Sequence, residues 1–414
     1  MRFPVAQTTF QHTFPNGLTL LAERMEHVRS VAVNFLLPAG CSRDPVGREG
    51  LAGVLAEMIT RGAGSRDSKD LMLAFDNLGV DRSESVGVHH MRFWGSTLGR
   101  NLPAALELFA DVLRRPHLPE DELEPTVELS LQDLRSLEDE PASRLMVELR
   151  RKLYPTPLCN DHRGTVEGVQ AVTVDDLRMY HERHFRPGGT ILSVAGSFEF
   201  DALRDQVERL FGDWSGEVEP MPPLGPEPNG HGHVSKELEQ THLTVSYPSV
   251  KYGDPDYYQA LAAVQVLSGG MGARLFMEIR EKEGLCYSVS ASFSPQKERG
   301  YVVGYAASRN ERAQRTLDKM IEEFGRMRQG VSEDEVQRVR VGLKTSLIMQ
   351  QESTSARAGS LASDWYNLGR VRGFDEIQSA IDGLTPASIA AHLERHPPGA
   401  YRIVTLGPTP LNGV

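Results

Sequence analysis

The stretch Ala39-Gly40-Cys41-Ser42-Arg43-Asp44, followed six residues later by Gly50-Leu51-Ala52-Gly53-Val54-Leu55-Ala56-Glu57-Met58, joins a strand to a helix. Upstream of it, Val31, Val33, Phe35 and Leu37 alternate along residues 30–37, which is the period-two signature of a strand. From Arg48 the period changes: Leu51, Val54, Leu55 and Met58 fall at i, i+3, i+4 and i+7, one face of a helix that stops near Arg61-Gly62. Working outward, residues 10–14 and 18–22 flank a Pro-Asn-Gly turn and read as a hairpin. Downstream, the patterns predict a helix over 68–78, strands over 81–86 and 88–98, helices over 103–113, 119–137, 142–154 and 174–184, a strand over 190–195 and a helix over 200–211. Strands and helices come in runs, so the class is α+β.

Residues 216–232, GEVEPMPPLGPEPNGHG, carry almost no apolar periodicity and read as a linker. Beyond them the order loosely repeats: a strand over 241–247, helices over 256–267 and 274–283, strands over 287–293 and 301–307, a helical run over 310–396 and a strand over 401–406. The expectation is two copies of one fold, an N-terminal domain over 1–215 and a C-terminal domain over 233–414, each a mixed sheet covered by helices. The 414 residues suit two cores, since single cores rarely grow beyond roughly 250 to 300 residues.

A net charge of −11 gives the chain no electrostatic reason to bind phosphate backbones or anionic lipid, so nucleic acid is not an expected partner. The apolar stretch 31–40 contains Asn34 and is far short of a membrane span. The opening MRFPVAQTTFQHTFPNG lacks a basic region followed by an apolar core and a small-residue cleavage site, and reads as mature sequence without an export signal. Cys41, Cys159 and Cys286 are odd in number and widely spaced, which fits a reducing cytoplasm.

The segment from Ala39 through Met58 resembles the opening motif of the pitrilysin/insulinase metallopeptidases, the inverzincins of H-x-x-E-H pattern. In that family two imidazoles four residues apart hold Zn²⁺, and the Glu between them is the general base. Here Gly53 stands at the first His, Ala56 at the Glu and Glu57 at the second His. The family's third ligand, a Glu on a later helix shortly before an acidic run and a proline, aligns with Asp133 in Gln132-Asp133-Leu134. Two carboxylates make a poor zinc site, and Ala56 cannot activate water, so this chain alone is not expected to carry the peptidase reaction.

The resemblance continues through Gly164-Thr165-Val166-Glu167, Tyr180-His181 and Phe185-Arg186-Pro187 into the second half, and is most specific in Glu278-Ile279-Arg280-Glu281-Lys282-Glu283-Gly284-Leu285-Cys286-Tyr287-Ser288. In the family the Arg and Tyr of this segment hold the substrate backbone and stabilise the tetrahedral oxyanion. A guanidinium supplies a fixed fork of donors and a phenol can donate to charge as it develops. Arg280 and Tyr287 are both intact. The resemblance therefore implies the zinc-lacking subunit of a heterodimeric peptidase, like the inactive partner in bacterial two-chain members and in the mitochondrial processing peptidase. It would hold no cofactor of its own. Its partner would be a zinc-bearing H-x-x-E-H homologue and its substrates unfolded peptides, in the cytoplasm, with no nucleic acid and no membrane. The rivals are a structural or peptide-binding scaffold without chemistry, and a peptidase using Glu57 and Asp133 for another metal arrangement. One departure falls on the family's substrate-binding edge strand, where Asn-Ala is replaced by Ser83-Glu84 after Leu78-Gly79-Val80.

Other features have plainer readings. Glu57 and Asp133 suit solvated helix carboxylates, and His181 and His184, at i and i+3, lack a third nitrogen or sulfur ligand nearby in sequence. His89 and His90 are expected to sit in a strand and point to opposite faces. His231 and His233 read as spacer. Ser268-Gly269-Gly270-Met271-Gly272 lacks the Gly-Lys-Ser/Thr ending of a phosphate loop and reads as a flexible turn in reach of substrate.

Overall fold

Residues 8–414 are described in a computed structural model. The first seven, part of the opening stretch read above as free of an export signal, lie outside the described residues. The strands are β1 (Thr8–Thr13), β2 (Thr19–Arg24), β3 (Ser30–Leu37), β4 (Asp81–Val86), β5 (Met91–Leu98), β6 (Ile191–Gly196), β7 (Gly232–Ser235), β8 (Gln240–Ser249), β9 (Cys286–Pro295), β10 (Gly300–Arg309) and β11 (Arg402–Gly407). They form two mixed sheets, in the orders β1-β2-β6-β3-β5-β4 and β7-β11-β8-β10-β9. Setting aside β1, the two orders correspond strand for strand, and the parallel pair is the same in both, β2 with β6 and β11 with β7. The loose repeat in the sequence is thus a repeat of topology.

The chain divides into two compact units, and neither is continuous. One comprises residues up to Ser136 with Thr156–Gly225 and Gln350–Trp365; the other comprises Leu137–Pro155, Pro226–Met349 and Tyr366–Val414. One change of unit, at Gly225, falls inside the segment 216–232. The others arise because each half of the chain contributes one helical segment to the unit built mainly by the other half.

In the first unit, Val31, Val33, Phe35 and Leu37 of β3 enter the main core with Phe93, Phe109 and Phe211, under helices Leu51–Met58, Leu102–Arg114 and Phe200–Phe211. The alternate residues of β3 serve the opposite face, where helix Thr354–Leu368 supplies the cover. There Ala358 packs with Met25, Ala32 and Ala195, and its carbonyl accepts from Ser193 Oγ at 2.7 Å. Arg357 donates from Nη2 to Glu23 Oε2 at 2.6 Å and from Nε to both carboxylate oxygens, at 3.0 and 3.1 Å. These two side chains are only 4% and 3% exposed.

The second unit has the same two-faced plan. Leu243, Val245, Tyr247, Val302 and Ile403 form the main core with Leu317, Met320 and Phe324 of helix Ala313–Arg326. On the other face helix Pro141–Leu153 sets Leu145, Leu149 and Leu153 against Tyr301, Val303, Val404 and Leu406, and the Tyr301 hydroxyl donates to Leu153 O at 2.8 Å.

Several local expectations are corrected. Residues 276–282, read as ordinary helix, are wound as a π-helix, Phe276–Lys282. His89 and His90 lie in the turn between β4 and β5 rather than in a strand, because that hairpin is closed by Gly87 N–H donating to His90 O at 2.8 Å. His233 is not spacer: it lies in β7, which the sequence pattern did not reveal, and its Nδ1 hydrogen-bonds Thr405 Oγ1 at 2.9 Å. His231 Nδ1 likewise accepts the Ile403 N–H at 3.1 Å, so both imidazoles secure β11.

Two outcomes follow. Arg357→Ala removes the guanidinium that pairs with the buried Glu23 carboxylate and should lower unfolding stability by about 3 to 5 kcal/mol, measured by denaturant titration. Residues 1–215 or 233–414 expressed alone each lack the helix that covers one face of their sheet and should be insoluble or loosely packed. Co-expressed, the two fragments should associate into a species with native near-ultraviolet circular dichroism.

Candidate functional site

Helix Leu51–Met58, carrying Gly53, Ala56 and Glu57, is held at its start by Asp44. That carboxylate accepts the N–H groups of Gly50 at 2.8 Å and Ala52 at 3.0 Å, the free donors of a helix N-terminus. Burial pushes the Asp44 carboxyl up to about 7, against the pull of those two donors. Leu51, Val54, Leu55 and Met58 are buried in the main core, as the i, i+3, i+4, i+7 pattern required.

Gly53 has no side chain, and the fold leaves no room for one. A Cβ built on it would lie 2.5 Å from the His162 carbonyl oxygen, so the main chain of 161–163 occupies the space through which a side chain would leave the helix. The approach continues at Gly164, whose φ is +74° and whose added Cβ would collide with the Glu49 carbonyl. Ala56 is buried and offers no polar atom. Glu57 is exposed, and Asp133, on helix Leu123–Glu138 and 59% exposed, pairs with Arg163 at 3.2 Å. Glu84 of the edge strand β4 is raised by its burial and by the nearby charge of Glu57, while Arg82, its ion-pair partner, pulls it down. Two solvated carboxylates, one already bound to a guanidinium, beside a closed-off glycine do not fit catalytic zinc, and no general base stands in the motif.

Arg280 and Tyr287, seven positions apart in the chain, are brought into contact. The Arg280 guanidinium carbon lies 4.6 Å from the Tyr287 ring centroid and 4.7 Å from that of Phe276, so the cation is stacked on two rings. Phe276 was not singled out from the sequence, although its place four residues before Arg280 on a helical segment was the available signal. Two backbone irregularities set the geometry. The π-helix Phe276–Lys282 carries Phe276 and Arg280. Then, at the start of the edge strand β9, Ala307 pairs with Ser288 and Ser308 with Cys286, which leaves Tyr287 as the extra residue of a β-bulge. Bulges re-aim side chains, and Tyr287 is 79% exposed. Neighbouring Cys286 has its thiol pushed up to about 11 by burial, with Arg280 acting in the opposite direction, so it is a poor nucleophile near neutral pH.

The histidines of helix Val174–His184 have structural partners. His181 Nε2 donates to Leu113 O at 2.9 Å, and the His184 ring packs edge-on to Tyr180 at 4.5 Å and is pushed down to about 4 by burial and then by Arg43 and Arg183. The Ser268–Gly272 turn ends helix Tyr257–Ser268 and exposes Met271. Cys41, Cys159 and Cys286 are all free thiols. Among the described residues no helix is long and apolar enough to cross a membrane.

The insulinase (peptidase family M16) model matches residues 19–165, and the model for the peptidase M16 inactive domain matches residues 171–343. An uncharacterized zinc protease of Rickettsia bellii (strain RML369-C) is 26% identical over 404 residues, covering 96% of this chain and 97% of its own. The uncharacterized zinc protease YmxG of Bacillus subtilis (strain 168) is 24% identical, over 90% and 92% of the two chains. In fold, the chain superposes on the crystal structure of a peptidase M16 inactive domain from Pseudomonas fluorescens with a TM-score of 0.88 at 22% identity, covering 98% of both chains. It superposes equally on a Helicobacter pylori protease, at 0.88 and 19% identity, over 97% of this chain and 100% of that one. With two sheets of one topology and matches to both family models, the chain belongs to the insulinase (peptidase M16) family as a member that lacks the zinc site.

Proposed function

We propose that this chain is the non-catalytic subunit of a heterodimeric zinc peptidase and that it supplies Arg280 and Tyr287 to peptides cut at the metal site of an H-x-x-E-H homologue. The observation that carries the reading is the combination of a closed metal position at Gly53 with a fully formed, accessible Arg280–Tyr287 stack. A protein kept only as a scaffold has no chemical need to retain the stack. Arg280, 34% exposed, held by two rings and with its Nε 3.8 Å from Glu281 Oε1, keeps its terminal N–H groups for a peptide carbonyl. The Tyr287 phenol, aimed outward by the bulge, is free to donate to an oxyanion. Zinc and the general base are the partner's contribution. The free thiols support a cytoplasmic setting.

Two experiments test this reading. In the first, the motif is rebuilt by Gly53→His, Ala56→Glu and Glu57→His. Because the His162 carbonyl blocks the Cβ at position 53, the triple variant should be destabilised by about 1 to 3 kcal/mol and show no chelator-sensitive cleavage of a casein-derived peptide. Robust cleavage by that variant, or by the unmodified chain alone, would overturn the reading. In the second, the chain is co-expressed with a zinc-bearing homologue and the mixed complex isolated by sizing and mass analysis. Tyr287→Phe keeps the ring on Arg280 but removes the donor, and should reduce turnover on the order of 10²- to 10³-fold. Arg280→Ala should raise KM as well as lower kcat. Partner zinc content should be unchanged in both, and unchanged kinetics in both would leave the chain a scaffold.

A further inference from the structure

A second group of metal-ligating side chains lies wholly in the second unit, outside the insulinase motif. Asp256 is the residue before helix Tyr257–Ser268, and its carboxylate makes no capping bond to that helix. It turns instead to the last turn of helix Pro386–Arg395. There His392 and His396 are four residues apart, one above the other, with ring centroids 5.2 Å apart. The Asp256 Oδ2 atom is 3.2 Å from His392 Nδ1 and 3.9 Å from His396 Nε2, and one ligand atom from each residue lies within 4.8 Å of the others.

From this placement we infer that Asp256, His392 and His396 form a binding site for a divalent transition-metal ion of the zinc class. A tetrahedral zinc with bonds of about 2.0 to 2.2 Å holds its donors roughly 3.3 Å apart, so the observed separations need only side-chain adjustment. Two imidazoles and one carboxylate suit zinc, cobalt or nickel better than calcium or magnesium, which prefer oxygen. The end of the helix supplies the preorganisation: His392 lies in its last turn, His396 is its C-cap residue, and the two rings are already side by side. His392 is almost fully buried and Asp256 mostly so, whereas His396 is on the accessible side, which leaves an approach for the ion and a fourth position for water.

The site has a competitor built into it. Arg395 donates to Asp256 Oδ1 at 2.7 Å and Oδ2 at 2.6 Å, with Nε at 3.1 Å from Oδ2. Its side chain is 55% exposed and can leave toward solvent. A metal therefore exchanges one cation for another on the same carboxylate, which makes the site a reversible one of modest affinity. It is independent of the insulinase motif and confers no peptidase activity.

The test is titration of the full chain with Co²⁺, followed through the visible d–d absorption of a tetrahedral site, and with Zn²⁺ as competitor. One equivalent should bind with a tetrahedral spectrum that Zn²⁺ abolishes. His396→Ala, a substitution at a partly exposed helix end, should weaken binding at least about tenfold with no change in thermal unfolding of the metal-free protein. Arg395→Met should tighten it several-fold by removing the competing cation. That paired response separates a metal site from an Asp–His–Arg cluster that only braces the two helices. The inference is overturned by the absence of a tetrahedral spectrum at millimolar Co²⁺, or by binding that neither variant alters. Because the readout is binding without activity, its failure leaves the proposed role of Arg280 and Tyr287 untouched, and loss of that role leaves this site standing.

Discussion

The buried pair between Arg357 and Glu23 joins residues 334 positions apart and sets the condition under which this chain folds. A guanidinium and a carboxylate removed from water are tolerable only together, so the helix that carries Arg357 must reach β2 before the first unit is complete. The reciprocal contribution, helix Pro141–Leu153 on the sheet of the second unit, is apolar, with Leu145, Leu149 and Leu153 doing by area what Arg357 does by charge. The apolar contact contributes more to stability and discriminates little between registers. The ion pair contributes little net stability, but breaking it leaves a charge in a water-poor site. Together they make each of the two units depend on a segment from both halves of the chain, even though each half repeats the same strand order.

That arrangement explains which parts of the architecture the sequence exposes. Main-core faces are legible wherever period and burial agree: residues 30–37 coincide with β3, and helices over 174–184 and 200–211 coincide with the periodic segments. What is not legible is the partner of the second face. Nothing in the pattern of residues 142–154 or 354–368 says that each helix covers the sheet of the other half, because periodicity records that a face is buried and not what buries it. The four-residue β7 escapes for a related reason. It is the parallel edge partner of β11 and has too few residues to show alternation, so His231 and His233 look like linker until β11 is beside them.

The candidate site divides in the same way. That residues 53 and 57 carry no imidazole is visible directly in the sequence. The closure of the space by the His162 carbonyl is not, because it depends on a backbone approach between segments more than a hundred residues apart. The difference has chemical weight. A missing ligand can in principle be put back by substitution, whereas a space filled by main chain resists it, since the carbonyl cannot be truncated and its movement would also disturb the close approach of Gly164 to Glu49.

Arg280 and Tyr287 owe their geometry to local irregularity. A regular α-helix running into a regular strand would place Tyr287 in the β9 ladder opposite a residue of β10. The extra residue at Cys286–Ser288 instead takes Tyr287 out of the pairing, and the π-wound turn before it sets Arg280 over the rings of both Phe276 and Tyr287. Both irregularities forgo regular backbone hydrogen bonding. A stack required only for packing could be built on a regular turn with less loss, because the ring contact alone does not need an exposed phenol. What the two irregularities achieve together is an exposed phenol set beside a cation shielded between two rings.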